Sequence, residues 1–199
     1  MSKLRQIKDK YNKAGIIKSE YIDSMYEQHA LLFEYAEFIS DTDIAKIEIS
    51  DLGVIMTARE SGIKMFCSNQ DKRIAPIEIL NFGNYEKEEM AMMFNLVHDG
   101  DVFFDVGANF GWYSLNVAKK FPRSLVQAFE PIEKTFGFLQ KNIKINNLDN
   151  ISANNFGLSN EEKKSVFYYY PEGSGNASAA NLSDYDSVER VDCSVKTMD

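Results

Sequence analysis

Between Val102 and Asn155 the sequence alternates strand, helix, strand, helix, strand, and no other feature of its 199 residues constrains the fold so tightly. Residues 102–105 are a short apolar run that ends in an acid and leads into a glycine-rich turn. A helical pattern covers 112–120, a second apolar run covers 125–129, and a second helix covers 135–145 with Phe136, Leu139 and Ile143 at i, i+3 and i+7. Residues 151–155 make a third strand. A strand that returns parallel to its predecessor needs a crossover, and a helix of this length supplies a right-handed one. The spacing therefore predicts an α/β fold built on a parallel, Rossmann-like sheet.

The flanks read differently. Residues 4–38 are helical with a break near Gly15, and Met25, His29, Leu32, Phe33 and Ala36 share one face of the second piece. That stripe is expected to face the core, with His29 a core histidine; docking of a partner or of a second copy of the chain is the alternative. From Ile44 to Leu80 the period is two, in Ile47 and Ile49, Val54 and Met56, then Ile63, Met65 and Cys67, with glycine turns at Gly53 and Gly62 between them. Short antiparallel strands follow from that pattern. Residues 86–97 return to a helical period, with Met90, Met93, Phe94 and Val97 inward and Gly100 as the stop. Beyond the third parallel strand, 166–170 and 188–197 alternate as an antiparallel hairpin. Its loop, 171–187, is rich in glycine, serine and asparagine and is expected to be flexible and exposed. The predicted organisation is a helical segment 1–43, an antiparallel β segment 44–83, and the N-terminal part of an α/β domain over 84–199.

Charge and composition narrow the partners. A net charge of −8 repels phosphate backbones and anionic headgroups, which argues against nucleic-acid and membrane-surface binding and for a small or neutral partner. Cys67 and Cys193 lie in alternating apolar runs and are expected to be reduced, buried thiols. The two histidines, His29 and His98, lack metal-ligand spacing, so no metal site is expected. The N-terminus has no apolar signal region and no run is long enough to span a bilayer, from which a cytoplasmic location is expected.

The chemistry concentrates in Asp105-Val106-Gly107-Ala108-Asn109-Phe110-Gly111, at the carboxyl end of the first parallel strand, where open α/β sheets place their ligands. Gly107 and Gly111 let backbone approach a ligand closely, and free N–H groups of the next helix are expected to face it. Asp105 is unfavourable beside a pyrophosphate and favourable beside an ammonium or sulfonium. Glu130 ends the second strand, where a carboxylate can accept both ribose hydroxyls, and Pro131 beside it suits the wall of an adenine slot. Each piece alone is weak, but an acid before the glycines and an acid closing the next strand in a βαβ context rarely coincide by accident.

Phe103-Phe104-Asp105-Val106-Gly107-Ala108-Asn109-Phe110-Gly111, Ala128-Phe129-Glu130-Pro131, Leu139-Gln140-Lys141-Asn142 and Phe156-Gly157-Leu158-Ser159 resemble, in order and spacing, the FkbM-type S-adenosylmethionine-dependent methyltransferases. The resemblance runs from about Asn84 onward. It implies a class I methyltransferase fold and methyl transfer to oxygen, commonly on sugars or polyketide-like acceptors. By the same resemblance Asp105, Gly107, Ala108, Asn109 and Gly111 hold the amino-acid end of S-adenosylmethionine, Glu130 holds the ribose, and Pro131 with Phe156 and Gly157 lines the adenine. In that family a segment like 195–199 precedes a fourth parallel strand, so the first strand is expected to have an unpaired edge here and the chain to hold an incomplete domain.

Methyl transfer to a hydroxyl also needs a general base, and no residue stands out for that role. Two other readings compete. A nicotinamide-dependent oxidoreductase shares the strand-turn-helix logic but wants G-x-G-x-x-G, where this turn is Gly107-x-x-x-Gly111 behind an acid. A non-catalytic chain acting through its N-terminal helices, as a scaffold or as the contact of a homo-oligomer, is the third.

Overall fold

The computed structural model describes residues 1–181 and 187–199, and the chain divides into two compact units, Met1–Asp41 and Thr42–Asp199.

The first unit is a helical hairpin of α1 (Lys3–Asn12) and α2 (Lys18–Phe38). The Ser2 hydroxyl accepts from the Arg5 N–H at 3.4 Å to start α1, and the Glu20 carboxylate accepts from the Ile17 N–H at 3.3 Å to start α2. The Tyr11 and Tyr21 rings stack at 4.4 Å between the two helices. Neither helix buries a single residue. The stripe expected to face the core is therefore on the surface: His29, Leu32, Phe33 and Ala36 are exposed and only Met25 is half-covered. The period identifies the helix correctly, but it cannot say what the apolar face meets.

The second unit starts with an antiparallel sheet of β1 (Ile44–Ser50), β2 (Gly53–Ala58) and β3 (Lys64–Phe66). Two helices follow, α3 (Ala75–Phe82) and α4 (Lys87–Leu96). Helix α3 lies within the stretch whose period suggested strands only. Pro76 in its first turn and Gly83, at φ 85°, behind its last were the local signals for it. The parallel sheet has β4 (Val102–Val106), β5 (Leu125–Phe129) and β6 (Ile151–Asn154) in that order, with crossovers α5 (Trp112–Lys120) and α6 (Glu133–Ile145). A small third sheet joins β7 (Gly157–Leu158), β9 (Glu189–Lys196) and β8 (Lys163–Tyr169), β7 and β9 parallel, β8 and β9 antiparallel. The fold is α/β with a Rossmann-like parallel sheet.

One face of that sheet carries the core. Val126 and Ala128 of β5 are fully buried and pack beneath Val117 and Leu139 of the crossovers. On the other face Val102, Phe104, Val106 and Leu125 are 43–58% exposed. β4 has β5 on one side and, among the described residues, no strand on the other.

Three asparagines tie the pieces together. Asn142 of α6, fully buried, accepts from the Phe66 N–H and donates to the Phe110 carbonyl, both at 2.8 Å. Asn146 accepts from the Lys64 N–H at 2.8 Å and donates back to the Lys64 carbonyl at 2.7 Å, completing the clamp on β3. Asn150 donates to the carbonyls of Ala118 and Ser124, near the C-terminal end of α5 where helix carbonyls lack partners. Among the described residues no helix is long and apolar enough to cross a membrane. The two cysteines are unpaired; Cys193 is buried, whereas Cys67 is only half-buried, its thiol pushed up to about 12 by desolvation.

Candidate functional site

The turn between β4 and α5 is built from backbone that few residues can adopt. Gly107, Asn109 and Gly111 have φ of 83°, 50° and 94°. Gly111 also lets two helices meet, because a Cβ there would sit 2.6 Å from Leu139 Cδ1. Gly107 differs: it is exposed, and a Cβ there would meet nothing within 4 Å. The turn is thus closed by packing at one end and open to an approaching molecule at the other.

The turn's donors are committed inward. The N–H groups of Gly107 and Ala108 both donate to the Phe129 carbonyl at 2.9 Å, and that of Gly111 donates to the Ala108 carbonyl at 2.7 Å. The Asn109 N–H donates to Glu130 Oε2 at 2.9 Å. The free N–H groups are expected on the helix that follows, where that of Ser114 donates to Asp105 Oδ2 at 3.0 Å. Donation to β5 and Glu130 leaves Gly107–Asn109 without N–H groups to offer an anion.

Two buried carboxylates flank the turn. Asp105, 9% exposed, accepts at Oδ2 from the Ser114 N–H at 3.0 Å and from the Ser114 hydroxyl at 2.5 Å. It therefore fixes the first turn of α5, and that engagement sets where its charge sits. Desolvation raises its pKa, against the lowering pull of Ser114. Glu130, 5% exposed, accepts from the Asn109 N–H at Oε2 and from the Ile132 N–H at Oε1, the latter at 2.8 Å. Burial, with the Asp105 charge adding, pushes Glu130 up to about 7, against the two N–H donors. A cation beside this pair would relieve both carboxylates; a second anion would not.

The residues predicted for the adenine are arranged less openly. Pro131 is half-buried, and a Cβ on Gly157 would lie 3.6 Å from Pro131 Cβ and 3.3 Å from Val195 Cγ1. Close packing against β9 thus accounts for the glycine at 157. The Phe156 ring is half-exposed, edge-on to Phe129 at 5.4 Å, with the Lys196 ammonium 4.7 Å above it. Asn155 donates to the Glu130 carbonyl at 2.9 Å and holds the segment after β6 against the end of β5.

Asp71 and Ser174 carry no motif that marks them as site residues. The Ser174 hydroxyl donates to Asn109 Oδ1 at 2.9 Å, and the Ser174 N–H donates to Asp71 Oδ2 at 3.0 Å. Lys72 and Glu172 pair beside them, through the Lys72 N–H to the Glu172 carbonyl at 3.0 Å and through their side chains at 2.5 Å. Residues 171–176 therefore form a strap against the glycine turn, with Ser174 only 5% exposed. This corrects the expectation of a flexible, exposed loop for that part; 182–186 lie outside the described residues. Among the described residues no cluster of three or more His, Cys, Asp or Glu could hold a metal.

Residues 70–166 match the model of the TRM5/TYW2 methyltransferase domain. "Methyltransferase 1" of Beauveria bassiana is 30% identical over 94 residues, 47% of this chain and 38% of that protein. "Methyltransferase sdnD" of Sordaria araneosa is 34% identical over 74 residues, 37% of this chain and 29% of that protein. Among solved structures, P. horikoshii TYW2 in complex with MeSAdo is 25% identical with a TM-score of 0.35, covering 51% of this chain and 35% of that one. Over these residues the chain, with its parallel sheet and glycine turn, is similar to methyltransferase domains. The chain spans less than two-fifths of the length of the curated relatives it matches.

Proposed function

We propose that this chain carries the cofactor-holding part of a methyltransferase of the FkbM type, acting on a hydroxyl of a sugar or other small molecule. The observation that carries the reading is Glu130, a buried carboxylate tied to the Asn109 N–H directly beside the open backbone of Gly107. S-adenosylmethionine supplies a methyl group on a sulfonium, open to in-line attack by an oxygen. The residues here bind and orient it. Asp105 and Glu130 give the cleft a negative field that favours the cationic end over a dinucleotide pyrophosphate. Each oxygen of Glu130 spends one lone pair on a backbone N–H and keeps another for a ribose hydroxyl. Asn109 presents the turn's surface to the amino-acid end, Gly107 admits it, and Ala108, buried against Leu139, and Gly111 hold the helix behind it. Pro131 and the Phe156 ring flank the adenine, with Gly157 beneath. The net charge of −8 favours an uncharged acceptor over a polyphosphate.

Isothermal titration with S-adenosylhomocysteine tests the reading. Glu130→Ala is expected to lose about 1.5–3 kcal/mol of affinity, the worth of hydrogen bonds to a charged group. Unchanged affinity in a folded variant would take Glu130 out of the ribose site.

A further inference from the structure

The strap over 171–176 holds one side chain of the glycine turn in a set orientation. Its own backbone is tied at several points. The Gly173 N–H donates to the Tyr170 carbonyl at 3.0 Å, the Ala177 N–H donates to the Ser174 carbonyl at 3.1 Å, and Ser178 bridges back to Tyr168. Tyr170, Gly173 and Ser174 are buried. Asp71, 4% exposed, accepts from the Arg73 N–H at Oδ1, 2.9 Å, and from the Ser174 N–H at Oδ2, 3.0 Å, so one carboxylate joins the segment after β3 to the strap. The Ser174 hydroxyl is thereby placed to donate to Asn109 Oδ1 at 2.9 Å.

That last bond decides which end of the Asn109 amide is left for a ligand. A side-chain amide has an acceptor oxygen at one end and a nitrogen with two donors at the other. Ser174 engages the oxygen. The nitrogen donates to no group among the described residues and sits beside Gly175, where a Cβ would come 3.5 Å from it. The backbone N–H groups of Gly107, Ala108 and Asn109 are spent on Phe129 and Glu130, so Nδ2 is the donor that these three residues keep. The field of Asp105 and Glu130 favours a cation and opposes a carboxylate, and a ligand that carries both needs a donor for the second.

On the cofactor reading given above, we infer that Ser174, held in place by Asp71, is a positioning residue: it turns the Asn109 amide so that Nδ2 donates to the carboxylate of the cofactor's amino-acid end. Without the Ser174 hydroxyl the amide is free to flip, and the flipped form sets oxygen against oxygen.

Isothermal titration of the whole chain with two ligands tests this. S-adenosylhomocysteine has the amino-acid end; 5′-methylthioadenosine has the adenosine and the thioether without it. The unaltered protein is expected to bind the first more tightly. Asn109→Asp replaces the amide nitrogen by a carboxylate oxygen and should weaken S-adenosylhomocysteine at least about ten-fold, as loss of a hydrogen bond to a charged group does. Ser174→Ala keeps the backbone N–H that Asp71 holds and should weaken it about three- to ten-fold. Both variants should bind 5′-methylthioadenosine as the unaltered protein does, which also shows that they are folded. A Ser174→Ala variant that binds both ligands normally or loses both alike would overturn the positioning role, as would equal affinity of the unaltered protein for the two. An unaltered protein that binds neither would instead sink the cofactor reading, and the role of Ser174 with it.

Discussion

Gly107 and Gly111 are four residues apart in one turn and answer to different constraints. Both have positive φ, which costs an L-residue roughly 1–2 kcal/mol. At Gly111 a Cβ would also collide with Leu139, which is fully buried and has nowhere to go. Urea unfolding should therefore show Gly111→Ala losing about 2–4 kcal/mol and Gly107→Ala only about 1–2 kcal/mol. Gly107→Ala should instead show its main effect on ligand affinity, and equal stability losses would contradict the division of labour. Glu130 makes a second prediction at this scale. Its folded value of about 7 lies above the ordinary 4.5, so the folded state holds the proton more tightly than the unfolded chain. Its contribution to stability is thus complete below about 4.5 and is lost as pH rises through about 7. Thermal melts from pH 5 to pH 8 should fall more steeply for the unaltered protein than for Glu130→Gln. A parallel slope would place the titration elsewhere.

At the scale of elements, the site depends on helix α6 more than on any strand. Asn142 bonds both β3 and the glycine turn, and Asn142→Ala would leave a part-buried N–H and a buried carbonyl without that partner. A loss of about 2–4 kcal/mol in chemical denaturation is expected, against near-neutral behaviour if those bonds carry no weight. None of this was legible from period and composition. The parallel strands could be read because each apolar run is short and ends in a signal, Asp105 before glycine or Glu130 before proline. The clamps of Asn142 and Asn146 could not, because each joins segments more than 75 residues apart. The strap failed for the same reason: glycine and serine mark 171–176 as a loop, while the bonds to Asn109 and Asp71 span 65 and 103 residues. Helix α3 was obscured by isoleucines, which suit strands and buried helices alike.

On the scale of the whole molecule, the two units follow opposite rules. The unit over 42–199 buries its apolar residues around the crossovers and keeps two carboxylates at the mouth of its turn. The unit over 1–41 buries none and sorts its charge by helix. In the hairpin the sequence showed a helix with an apolar face, and only its exposure in three dimensions takes that face off the core. In the larger unit, the acid ahead of the glycines was read as a direct partner for a cation. The structure ties Asp105 to Ser114, so its charge reaches a ligand as part of a field shared with Glu130. That shared field is the central claim, and Trp112 reports on it. This tryptophan, unique in the sequence, follows Gly111 directly and packs edge-on to Tyr85 at 6.0 Å. Titrating its fluorescence with S-adenosylhomocysteine and, separately, with NAD should give a saturable change with the first and none with the second. Saturation by NAD alongside silence toward S-adenosylhomocysteine would contradict the account.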